Sequence, residues 1–216
     1  MQNINEIDTW VFDLDNTLYD AETGLMNRIS TRMSQFIAEL RGISMDEADL
    51  VRKDYWNRYG MTLHGLMADH QVDPHKFLSY AHDLDVSDVP SCDIISEYLH
   101  YLPGRKVIFT NAPRHFAERM SAHLGIDKHF SGIFSIEDSN FTAKPQEKAY
   151  SAFINHFDVT PTRACMLDDM HVNLKTASDL GMKTVWIHGD ENGDHSHVTS
   201  KAVNLADWLR QNAQKG

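Results

Sequence analysis

Five short, nearly unbroken apolar runs recur along the chain, at residues 9–13, 106–110, 132–136, 164–167 and 183–188, and each is followed by apolar positions at helical spacing. Continuous rather than alternating runs are what parallel strands covered on both faces require. Strands that alternate with helices predict an α/β fold with a doubly wound parallel sheet. In such sheets ligands bind beyond the carboxyl ends of the strands, so the residues just after each run carry the chemistry.

The first interval breaks the rhythm. Asp13 and Thr110 are 97 residues apart, whereas a βαβ unit needs about 30. Leu25, Ile29, Met33, Phe36, Ile37 and Leu40 form a helical stripe that ends near Gly42. Ser44-Met45-Asp46-Glu47 has the capping-box pattern and opens a second helix with Leu50, Val51 and Tyr55. Residues 62–70 and 74–84 supply two more helices, and 85–90 form a polar return. A small helical domain at 20–88 is therefore expected inside an α/β domain made of 1–19 and 89–216. A helix from Ser91 carries Ile94, Ile95, Tyr98 and Leu99. Residues 189–197 read as a polar loop and 202–211 as a closing helix, after which the chain end frays.

Composition narrows the partners. The chain has 216 residues, 42% apolar and 24% charged, with net charge −11. That balance, with no basic patch, argues against a nucleic-acid polymer or an anionic membrane as partner. Cys92 and Cys165 are far apart and suggest no disulfide, and Cys165 sits in an apolar run as a buried thiol. Met1-Gln2-Asn3-Ile4-Asn5-Glu6 lacks a signal-like pattern, and no apolar stretch approaches the roughly 18 residues of a membrane span, so a cytoplasmic location is expected.

Four strand ends hold the candidate chemistry. The first reads Phe12-Asp13-Leu14-Asp15-Asn16-Thr17. On extended backbone the Asp13 and Asp15 side chains leave on the same side. Their mutual repulsion is offset by a hard divalent cation such as Mg²⁺, or both simply solvate a turn. One could act as nucleophile and the other as general acid/base. The second, Thr110-Asn111-Ala112-Pro113, stands before a helix and offers either a phosphoryl-oxygen cradle or ordinary capping. At the third, Lys144-Pro145, proline keeps the lysine off the helix, so its ammonium can neutralise a phosphate or remain a surface charge. The fourth, Leu167-Asp168-Asp169-Met170-His171, places two adjacent acids after an apolar run, a costly choice unless they bind a cation. His171 is a solvent-facing residue at a helix start in preference to a ligand.

Taken in order, Asp-x-Asp-x-Thr, Thr-Asn, Lys-Pro and Asp-Asp resemble the haloacid dehalogenase superfamily over nearly the whole chain, with the helical insert in the place of that superfamily's cap. The runs Phe12–Tyr19, Arg58-Tyr59-Gly60-Met61-Thr62-Leu63-His64-Gly65-Leu66-Met67, Leu102-Pro103-Gly104-Arg105-Lys106-Val107-Ile108-Phe109-Thr110-Asn111 and Leu180-Gly181-Met182-Lys183-Thr184-Val185-Trp186 resemble the pyrimidine 5′-nucleotidase branch. The resemblance implies a Rossmann-like core and a Mg²⁺-dependent phosphatase acting on a small phosphate ester, most closely a nucleoside monophosphate. By it, Asp13 forms an aspartyl-phosphate. Asp15 protonates the leaving oxygen and lends its carbonyl to the metal. Thr110, Asn111 and Lys144 hold the phosphoryl group. Asp169 ligates Mg²⁺ directly, with Asp168 beside it or one water away. The sequence departs from the branch at Asp168, where Glu is common, and at Ala112, where glycine is usual. Other readings of the same motifs are a sugar-phosphate or phosphoglycolate phosphatase, a phosphomutase, a metal-free haloacid dehalogenase and a non-catalytic binding protein. Tyr59, Thr62, Leu63 and His64 either face a substrate or pack within the insert.

Overall fold

The computed structural model describes residues 6–91, 93–188 and 195–213. Cys92, the start of the polar stretch after residue 188 and both chain ends lie outside the described residues. Two compact units emerge: residues 1–23 with 89–216, and residues 24–88.

In the first unit six parallel strands form one sheet. They are β1 (Thr9–Phe12), β2 (Arg105–Phe109), β3 (Ile133–Phe134), β4 (Ala164–Asp168), β5 (Lys183–Ile187) and β6 (Ser200–Ala202), in the order β3-β2-β1-β4-β5-β6. β1 is central, with Phe12 level with Ile108 on one side and Leu167 on the other. Neighbouring strands therefore end together, and whatever follows Phe12, Phe109 and Leu167 shares one edge. Period-two alternation splits the core. Val11, Val107, Phe109 and Met166 pack with Tyr150, Phe153 and Leu174 in one buried cluster, where Phe109 and Phe153 stack at 4.7 Å. Trp10 and Phe12 meet Trp208 and Phe130 edge-on at 5.5 and 5.6 Å.

The helices of this unit are α5 (Asp93–Tyr101), α6 (Arg114–His123), α7 (Glu147–Phe157), α8 (His171–Asp179) and α9 (Leu205–Asn212). Gly104 enters β2 at φ +86°, where an added Cβ would meet the Asp8 carbonyl oxygen at 2.9 Å. Only glycine fits that close approach to β1.

Two expectations need correction. Ala202 does not open the closing helix; it ends β6, and the helix starts at Leu205, where the Asn204 side chain accepts from the Asp207 N–H. β3 is two residues rather than five.

The second unit consists of α1 (Leu25–Arg41), α2 (Met45–Tyr59), α3 (Thr62–His70) and α4 (Pro74–His82). Gly42 ends α1 in the left-handed conformation, and the Ser44–Glu47 capping box starts α2 with both reciprocal bonds made. α4 stops at His82, short of the expected residue 84. Among the described residues no helix is long and apolar enough to cross a membrane.

Candidate active site

Because β1 and β4 run side by side in register, Asp13 follows the last pair, and its N–H donates to the Leu167 carbonyl at 2.9 Å. Its carboxylate lies next to the acid pair that ends β4. A carboxylate oxygen from each of Asp13, Asp168 and Asp169 lies within 4.8 Å of the other two. Lys144 arrives from the loop before α7. Its ammonium, on a side chain only 1% exposed, donates to Asp13 Oδ1 at 2.7 Å and to Asp168 Oδ2 at 2.8 Å. The sequence-predicted Asp13, Lys144, Asp168 and Asp169 are thus brought together.

Asp168 is the more enclosed acid of the pair. It is wholly buried, and both its oxygens are engaged: Asn173 Nδ2 donates at 2.9 and 3.1 Å, and the Met170 N–H at 2.8 Å. Asn173 is anchored in turn through its carbonyl, which accepts from Tyr150 Oη at 2.8 Å. The first acid of the pair therefore holds Lys144 and the start of α8. Asp169 is the more open acid; Asn16 Nδ2 donates to it at 3.3 Å.

Asn111 turns its side chain onto Lys144. Its side-chain oxygen accepts from the Lys144 N–H at 2.8 Å, and its amide donates to the Lys144 carbonyl at 3.1 Å. Both ends of the amide are spent on fixing the Lys144 backbone. Thr110 is buried at the end of β2, and its hydroxyl oxygen accepts from the Ala112 N–H at 2.9 Å. α6 begins at Arg114, with Pro113 as its cap.

Asp15 is held by Tyr19, whose hydroxyl donates to Asp15 Oδ1. The spacing of four brings the two together across the turn in which Leu18 N–H donates to the Leu14 carbonyl at 3.0 Å. Thr17 Oγ1 is buried there without a hydrogen-bond partner among the described residues.

Burial dominates the electrostatics. It pushes Asp13 well above the usual carboxylate range; Lys144 pulls it back, and the neighbouring acids add to the rise. Burial likewise raises Asp15, against the opposing hydrogen bond from Tyr19. Asp169 is pushed up to about 6 by burial and then by Asp168. For Lys144 burial works the other way, but Asp13 and Asp168 outweigh it and keep the ammonium charged. One cation facing four acids leaves a surplus of negative charge and of oxygen donors. That is the donor chemistry a hard divalent cation fits.

Sequence reasoning missed Asn16, Tyr19 and Asn173. Tyr19 had a legible signal, four residues from Asp15 within the quoted motif. Asn173 had one only as an amide one helical turn after the acid pair. Within the helical unit Tyr59 Oη donates to Asp69 at 3.1 Å, Thr62 Oγ1 donates to the Arg52 carbonyl at 3.4 Å, His64 Nδ1 lies 3.4 Å from the Tyr59 carbonyl oxygen, and Leu63 is fully buried. Cys165 is a free, buried thiol, as expected.

The sheet order defines a doubly wound α/β fold with acids gathered at the carboxyl edge of its sheet. A family model described as haloacid dehalogenase-like hydrolase matches residues 7–181, and the chain belongs to that family. Phosphate metabolism protein 8 of Saccharomyces cerevisiae is 28% identical over 190 residues, covering 79% of this chain. The match spans only 58% of that relative's own length. Two solved structures share the fold. A haloacid dehalogenase-family phosphatase from Thermococcus onnurineus has a TM-score of 0.65 at 18% identity, covering 97% of this chain and all of the other. L-2-haloacid dehalogenase from Xanthobacter autotrophicus, with chloropropionic acid covalently bound, has a TM-score of 0.58 at 14% identity, covering 94% and 97%.

Proposed function

We propose that this hydrolase is a Mg²⁺-dependent phosphomonoesterase working through an aspartyl-phosphate on Asp13, with pyrimidine nucleoside 5′-monophosphates as its first substrate class. The observation that carries the reading is the buried Asp13–Lys144–Asp168 bridge with the more open Asp169 carboxylate beside Asp13. Phosphoryl transfer asks mainly for alignment and charge neutralisation. Asp13, Asp169 and the Asp15 carbonyl would hold the cation, and Mg²⁺ bound there would neutralise charge on the phosphoryl oxygens. Lys144 adds a fixed positive charge at the nucleophile, and Asn111 holds that lysine in place.

In the first step an Asp13 oxygen attacks phosphorus, the ester P–O bond breaks, and the leaving alkoxide takes a proton from Asp15. In the second, water gives its proton to Asp15 as its oxygen attacks phosphorus; the acyl-phosphate P–O bond breaks and Asp13 is restored. A carboxyl raised by burial and held by Tyr19 suits the donor's task.

A metal-free haloacid dehalogenase is the second reading, favoured by the shared fold. Halide departure needs no proton, so it gives Asp15 and Tyr19 no role. The nucleotide preference rests on the branch-like sequence runs; sugar phosphates and phosphoglycolate are its competitors. A cytoplasmic setting belongs to the same reading, supported by the unpaired, buried Cys165.

The test is phosphate release from a panel of nucleoside monophosphates, sugar phosphates and phosphoglycolate, with Mg²⁺ and with EDTA. Release that needs Mg²⁺ and vanishes in Asp13→Asn is expected. Hydrolysis by Asp13→Asn at the wild-type rate would sink the proposed nucleophile, and dehalogenation that survives EDTA would select the second reading.

A further inference from the structure

The described residues hold a second group of metal-ligating side chains, built of imidazoles instead of carboxylates. His171 opens α8, and His195 and His197 lie on the segment leading into β6. All three are half-buried, and a ligand nitrogen from each lies within 4.8 Å of the other two. Their ring centroids are 5.1 Å apart for His171–His195 and 5.9 Å for the other two pairs.

The group is braced from behind. The Trp186 ring packs edge-on against His195 at 4.5 Å and His171 at 5.4 Å, while its Nε1–H donates to the Asp169 carbonyl at 2.8 Å. The His197 carbonyl accepts from Thr184 Oγ1 at 2.6 Å, which pins that residue to β5. His197 Nε2 stands 3.1 Å from the His171 carbonyl oxygen. A carbonyl only accepts, so Nε2 carries the proton and Nδ1 the lone pair. Metal-bound imidazoles are held in this way, one nitrogen donating to a carbonyl while the other ligates.

We propose that His171, His195 and His197 form a transition-metal site, separate from the carboxylate cluster, that takes Zn²⁺ and not Mg²⁺. Zn²⁺ accepts three imidazoles and completes a tetrahedron with water, whereas Mg²⁺ seeks oxygen. Tetrahedral bonds of about 2.0–2.1 Å put ligand nitrogens roughly 3.4 Å apart, so binding would draw the three rings together. The ion would tie the segment entering β6 to the N-terminus of α8, two residues from Asp169.

The experiment uses the full chain, stripped with chelator, saturated with Mg²⁺ and then titrated with Zn²⁺ by calorimetry. One Zn²⁺ per chain with micromolar or tighter affinity is expected. His195→Gln and His197→Gln should each weaken it at least about tenfold, with circular dichroism unchanged, and Asp169→Asn should leave it intact. Co²⁺ in place of Zn²⁺ should give tetrahedral visible absorption in the wild type that both histidine variants lack. Zn²⁺ uptake only at millimolar concentration, full binding in both histidine variants, or loss of binding in Asp169→Asn would each overturn the site.

Discussion

Replacing Lys144 by methionine removes the charge that joins two buried acids while keeping most of the volume. The ammonium lies 2.7 Å from Asp13 Oδ1 and 2.8 Å from Asp168 Oδ2, on a side chain 1% exposed. At an effective dielectric constant near 20, each contact corresponds to about 6 kcal/mol of attraction. Desolvating the ammonium consumes several kcal/mol of that, so the bridge is a modest net stabiliser, but its one-sided removal strands two carboxylates. We expect Lys144→Met to lose about 3–5 kcal/mol at pH 7.5 without metal. Asp13, already raised by burial, then rises further, because the pull of Lys144 is gone. A raised acid binds its proton in the folded state first, so the variant's stability is lost as pH rises and recovers as pH falls toward the unfolded acid value near 4. The deficit should therefore shrink at pH 5.5. Urea unfolding followed by tryptophan fluorescence, with Trp56 of the helical unit replaced by Phe, reads the α/β unit, which holds Trp10, Trp186 and Trp208. The double variant with Asp168→Asn should recover about 1–3 kcal/mol through the shared contact. A loss under about 1 kcal/mol at pH 7.5, or one that is identical at both pH values, would refute the electrostatic account of the bridge.

Other outcomes follow from the same geometry. Asp169, pushed up to about 6 by burial and Asp168, must ionise to bind a cation, so Mg²⁺ affinity measured by calorimetry should fall by up to about tenfold per pH unit below 6. In the metal-free protein the same group contributes stability below its unfolded value near 4 that is lost as pH rises through 6, and saturating Mg²⁺ should reverse that loss in a thermal-shift assay. Tyr19→Phe removes the hydroxyl that holds Asp15; turnover of alkyl phosphates should drop about tenfold or more, and of p-nitrophenyl phosphate much less, because the nitrophenolate leaves without a proton. Gly65→Ala in the helical unit would set a Cβ 2.3 Å from Tyr55 Cγ and 2.8 Å from its Cβ. The resulting overpacking should cost about 1–3 kcal/mol in chemical denaturation.

What the sequence discloses and what it hides divide along a physical line. β1, β2, β4 and β5 are legible because a strand buried on both faces needs an unbroken apolar run, and few other contexts tolerate one. β6 has no such requirement. Ser200-Lys201-Ala202 is an edge strand recorded in backbone pairing to β5, including the bond from His188 N–H to the Ala202 carbonyl, and backbone pairing leaves no side-chain pattern. The site divides in the same way. Asp13, Lys144 and Asp169 stand at strand or loop ends, where topology alone brings them to one edge. The partners that set their behaviour come from positions whose relevance is purely geometric. Asn111 reads as a ligand for an anion, but the 33-residue separation conceals that its amide matches the two backbone groups of Lys144. Asp168 reads as a second metal acid, yet Asn173 and the Met170 N–H already donate to its oxygens, and Asp169 is the more open member of the pair. A charge motif thus announces that a cation is wanted; only the count of donors around each oxygen tells which acid is left to meet it. The histidines make the converse case. His171 looks like a solvent-facing helix start, and His195 and His197 like ordinary polar loop residues, until the pairing of β5 with β6 carries the last two back against the first.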